Sequence, residues 1–85
     1  NHRELLLNRA NIILSYIRRR YGLEPQGKGE EFCKRIATLT DVTSEVAGNF
    51  LAGLDELRNR TSVSDKDLLA YDKLFDVVEI KTHLK

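Results

Sequence analysis

The sequence holds one cysteine, one proline and two histidines, and it has no tryptophan and no methionine. Each scarcity excludes something. A lone thiol, Cys33, cannot close an internal disulfide and argues for a reducing compartment. The domain is therefore expected to be intracellular, cytoplasmic or nuclear. Two histidines and one cysteine show no zinc-site spacing, and no calcium-loop pattern is present, so no metal and no cofactor is expected. His2 and His83 stand near opposite ends, which leaves no nucleophile with an evident base. Glu30-Glu31 and Asp55-Glu56 are adjacent pairs that point different ways on a helix, not a carboxylate dyad. The reading is that the chain is not an enzyme. No apolar run approaches the roughly 18 residues a membrane span requires. The chain opens on Asn1 rather than Met, and it is read as a piece of a longer protein.

What is present is helical periodicity. Eighty-five residues make one domain, 1–85, with 32% charged and 41% hydrophobic residues, which suits a solvated helical bundle. Residues 1–21 read as a first helix. Asn1 is its predicted cap, with Glu4 as capping-box partner, and Gly22 is its stop. Arg18, Arg19 and Arg20 complement the dipole in the last turn. The apolar residues form two stripes. Leu6, Leu7, Ala10, Ile13, Leu14, Ile17 and Tyr21 make the broad one, and Leu5, Ile12 and Tyr16 a second. One neighbouring helix cannot cover both.

Residues 22–29 form a connector punctuated by Pro25, Gly27 and Gly29. Gly27-Lys28-Gly29 lacks the spacing, the preceding strand and the following Ser or Thr of a phosphate loop. Residues 30–60 carry Phe32, Ile36, Leu39, Val46, Phe50, Leu54 and Leu57 in one stripe at helical period, with Thr43 in the gap. The spacing predicts one long helix. Two places weaken it: Thr40-Asp41, within a β-branched, cap-rich run from Thr38 to Ser44, and Gly48-Asn49. A second face, Ala37, Ser44, Gly48, Leu51 and Ala52, is mostly small. Gly48 and Gly53 each cost a helix about 1 kcal/mol relative to Ala, so another backbone is expected to approach closely there. A last helix spans 64–84, capped by Ser64, with a stripe of Leu68, Tyr71, Phe75 and Val78 widened by Leu69 and Leu74. Val77, Ile80 and Leu84 lie off its centre.

These elements predict an all-α three-helix bundle of about 20, 30 and 20 residues. The central helix would be ~45 Å long against ~30 Å for its neighbours, and would overhang them. The surplus apolar surface leads to a functional expectation: a non-catalytic protein–protein interaction module, a dimerisation or docking domain within a larger assembly. A homotypic dimer and a foreign helix both satisfy it. The residues expected to make that contact are Ala37, Ser44, Gly48, Leu51 and Ala52 on the small face, and Phe50, Leu54 and Leu57 in the distal half. Leu5, Ile12 and Tyr16 join them from the first helix. The alternative is nucleic-acid binding. Residues 1–28 hold six Lys or Arg against two Glu, although the whole chain is only +1. Arg9, Arg18, Arg19 and Arg20 would contact phosphates.

Overall fold

The computed structural model describes residues 2–85, so the predicted cap at Asn1 lies outside the described residues. It contains four helices, α1 (His2–Tyr21), α2 (Glu30–Leu39), α3 (Ser44–Asn59) and α4 (Asp65–Lys81). The domain is all-helical, as expected, but the predicted helix over 30–60 is two.

The break falls at residues 40–43, and its chemistry is local. The Thr40 hydroxyl donates to the Ile36 carbonyl at 2.7 Å and accepts from the Val42 amide at 3.1 Å. Its side chain thus competes with the backbone for the bonds that would extend α2. Thr43 then caps α3, its hydroxyl accepting from the Val46 amide at 3.1 Å. Val42 is buried and pins the turn to the core. The second suspected break does not occur, since α3 runs unbroken through Gly48. Because the chain reverses at the break, α2 folds back beside α3 and nothing overhangs. The molecule measures 34 × 27 × 21 Å, with no 45 Å rod.

The remaining boundaries follow the sequence. Gly22 ends α1 in the left-handed region (φ 69°), its amide donating to the Arg18 carbonyl at 2.9 Å. Gly29 (φ 78°) precedes α2, and a side chain there would collide with Leu51. Ser64 caps α4, its hydroxyl accepting from the Asp67 amide. At the far end, the Leu84 amide donates to the Glu79 carbonyl and the His83 amide to the Ile80 carbonyl, a Schellman pair with His83 left-handed at φ 66°.

The side-chain bonds define the packing. His2 meets Asp65, Arg9 meets Asp72 and Asp76, and Tyr16 meets Thr82, so α1 and α4 run parallel. Arg3 reaches the Leu57 and Arg58 carbonyls at the end of α3, which therefore runs antiparallel to α1. The core between them comprises Leu6, Ala10, Ile13 and Ile17 of α1, Phe50, Leu54 and Leu57 of α3, and Tyr71, Phe75 and Val78 of α4. Phe32 and Ile36 bring α2 onto its side.

Candidate functional site

The predicted contact residues do not share one surface. Phe50, Leu54 and Leu57 are 1%, 3% and 0% exposed, so these three anchors serve the chain's own core. The reason is the chain reversal at residues 40–43. It removes the overhang that was expected to leave them uncovered.

The small face is split. Gly48, Leu51 and Ala52 border a groove of about 590 Å³, walled on the other side by Leu14 of α1 and by Gly27 and Lys28 of the connector. Ala37 is half-buried and Ser44 exposed, and neither borders that groove. The expected close approach of another backbone to Gly48 is absent among the described residues, because a Cβ there would meet nothing within 4 Å. Gly53 is buried, but against side chains and not backbone. Its Cβ would stand 3.4 Å from Tyr71 Cε1 and 3.6 Å from Leu74 Cδ2, where α4 crosses α3. Gly48→Ala should therefore stabilise the domain by about 0.5–1 kcal/mol, through helix propensity alone. A urea midpoint that does not rise would show that the glycine has another use.

The outer side of the α1–α4 pair is different. Arg9 lies in the seam between these helices. Its Nη1 donates to Asp72 at 2.5 Å, and its Nη2 donates to Asp76 and to Glu79, each at 2.5 Å. Lys85 reaches Glu79 at 2.9 Å and Asp76 at 3.3 Å. Burial alone would push the Glu79 carboxyl up, but the hydrogen bonds from Arg9 and Lys85 hold it below its ordinary value. Hydrogen bonds from the same two residues lower Asp76, and the carboxylates in turn raise Arg9. Past the cluster, Tyr16 and Tyr21 both donate to the Thr82 carbonyl, at 2.6 and 2.7 Å. Tyr16 thus closes the end of α4 and stands half-buried, not on an open face.

Large aliphatic residues stand exposed on both shoulders of this seam. Leu5 (66%) and Ile12 (60%) lie four residues before and three after Arg9 on α1. Leu69 (64%) and Ile80 (59%) lie three before Asp72 and four after Asp76 on α4. Helical spacing puts each pair beside the ion cluster, on the side away from the core. Leu5 and Ile12 belong to the second stripe expected to meet a partner, and Ile80 lies off the centre of the predicted α4 stripe. Leu69 was assigned to the buried stripe and is outside it. The signal was available: Leu69 lies about 60° from Asp72, whereas Tyr71 and Phe75 lie on the opposite flank of that acidic row.

The arginines expected to meet phosphates have separate occupations. Arg9 is held by three carboxylates. Arg18 pairs with Glu24 at 3.3 Å, and Arg20 lies 5.6 Å from the Tyr21 ring centroid. Arg19 is exposed beside Asn8, Ile12 and Ser15. Cys33 is half-buried, and burial pushes its thiol up, away from the reactive thiolate. Among the described residues, no group of three or more His, Cys, Asp or Glu side chains is arranged to hold a metal ion. No helix among them is long and apolar enough to cross a membrane.

Fold and surface together define a small all-helical domain with an ion-pair seam between α1 and α4, in which Glu79 is buried and Asp72 and Asp76 are about half exposed. The chain belongs to the family described as the DUF4350 C-terminal helical domain, which it matches over residues 1–82. No curated protein and no solved structure matches it.

Proposed function

We propose that this domain is a non-catalytic helical interaction module, and that its docking face is the outer side of the α1–α4 pair. One observation carries the reading: Leu5 and Ile12 on one helix and Leu69 and Ile80 on its neighbour are each more than half exposed. Scattered single aliphatics on a surface are ordinary, but two pairs flanking one seam form a patch of the kind that partners cover. The ion cluster between them supplies the polar contacts that fix register. A second copy of the chain and a foreign helix are the two occupants such a face accepts. The nucleic-acid alternative is weaker, because Arg9 is already engaged and Arg18, Arg19 and Arg20 point apart.

A photo-reactive amino acid placed at Ile12 or Leu69, in the protein expressed in its own cells, tests the proposal. Both positions should form discrete protein adducts on illumination, and the same group at exposed Ala52 should not. Equal labelling from all three positions, or none from any, would overturn it.

A further inference from the structure

Resting on that reading, we infer that the occupant of the α1–α4 face is a second copy of this chain, docked through α4 about a two-fold axis. The argument is one of charge and register. Within the seam, among the described residues, Asp72, Asp76 and Glu79 face only Arg9 and Lys85, which leaves a net charge of −1. The shoulders are basic. Lys73 projects from α4 and Arg19 from α1, and among the described residues neither makes an ion pair or a hydrogen bond. A face with an acidic seam and basic shoulders complements itself when the shoulder of one copy meets the seam of the other. A surface of one sign could not do this.

The register follows from the spacing. Leu69, Lys73, Asp76 and Ile80 step by four, three and four residues and form a single row on α4. The row is symmetric about its midpoint, between Lys73 and Asp76. Antiparallel docking of two such rows sets Leu69 against Ile80 of the second copy, and Lys73 against Asp76 of the second copy. The two-fold axis then repeats both pairs, as an isologous interface requires. Asp76 is available for this, being 46% exposed even with Arg9 and Lys85 upon it. Leu5 and Ile12, exposed on α1 across the seam, would lie beside the incoming helix. The patch is small, so the dimer is of the weak, concentration-dependent class.

Sedimentation equilibrium of the 85-residue chain across a concentration series, combined with cross-linking, tests this. The wild type should shift from monomer to dimer. Ile80→Glu should weaken the dimer about thirty-fold while leaving the circular dichroism melt in place, because the side chain is outside the core. In a Cys33→Ser background, Lys73→Cys should give a covalent dimer with a short bis-maleimide, and Ala52→Cys should not. A wild type that stays monomeric at every concentration would overturn the inference, as would cross-linking as efficient through residue 52 as through residue 73. The two proposals fail separately. A monomeric wild type whose Ile12 or Leu69 photo-adducts contain a different protein leaves the interaction module standing and removes the second copy. Absence of both adducts and dimer removes both.

Discussion

Replacing Phe75 by alanine should destabilise the domain by about 4 kcal/mol, most of the stability a chain of this size can hold. Phe75 is wholly buried at the point where three helices meet. Its ring lies edge-on to Phe50 of α3, with centroids 5.4 Å apart and planes at 72°. Tyr71 leans on it from one turn away at 6.2 Å, and the Arg9 guanidinium of α1 sits 5.7 Å from its centroid. Alanine would remove the filling of the core, the aromatic pair and the surface that backs Arg9. Neighbours cannot collapse into the space readily, since Phe50, Ile13 and Leu57 are themselves fixed and buried. Phe75→Leu keeps much of the volume and should cost less than half as much. Urea unfolding followed at 222 nm gives both values. Equal losses for the two variants would mean that the aromatic ring itself, and not the apolar volume it fills, carries the contribution.

The sequence made the helices legible wherever a boundary was marked by chemistry that acts locally. Gly22, Ser64 and the residues of the connector all do what their conformational preferences require. The break at residues 40–43 was marked equally well, by the run of Thr, Asp, Val, Thr and Ser, but the apolar stripe argued against it. The stripe persists in phase because both α2 and α3 bury one face against the same core. Its failures lie beside the turn: Leu39 is 50% exposed, Thr43 is exposed and Val46 is only half-buried, whereas Val42, off the stripe, is 2% exposed. A stripe whose members nearest a cap-rich segment can be exchanged for an off-stripe valine is the signature of two short helices. The proposed docking surface was half legible. The second stripe on α1 was visible because Arg9 and Arg20 isolate it from the first. On α4 the off-stripe place of Ile80 and the angle of Leu69 to Asp72 were legible, but not that Arg9 selects Asp72, Asp76 and Glu79 as the seam. That pairing spans more than sixty residues of sequence, and periodicity carries no information about it.

Arg9→Ala should cost about 3 kcal/mol at neutral pH, and the deficit should shrink in acid. The first part follows from Glu79. Its side chain is 7% exposed, and Arg9 supplies the nearest of its countercharges. Without the guanidinium the carboxylate remains desolvated with only Lys85 for a partner, and α4 loses its charged tie to α1. The second part follows from linkage. In the wild type, Glu79 and Asp76 are held below their ordinary values of 4.5 and 3.8, so the folded state binds fewer protons than the unfolded state. Their contribution is complete above the ordinary carboxylate range and is lost as pH falls through the depressed values. In Arg9→Ala the depression of Glu79 shrinks, because burial then works against Lys85 alone. Wild-type stability should therefore decline below about pH 4.5 while that of the variant declines less, and the two curves should converge. Denaturant unfolding of both proteins between neutral pH and pH 3 gives the comparison. Parallel curves would mean that Arg9 acts through the contact of its guanidinium with the Phe75 ring, and that the ion cluster is not what joins α1 to α4.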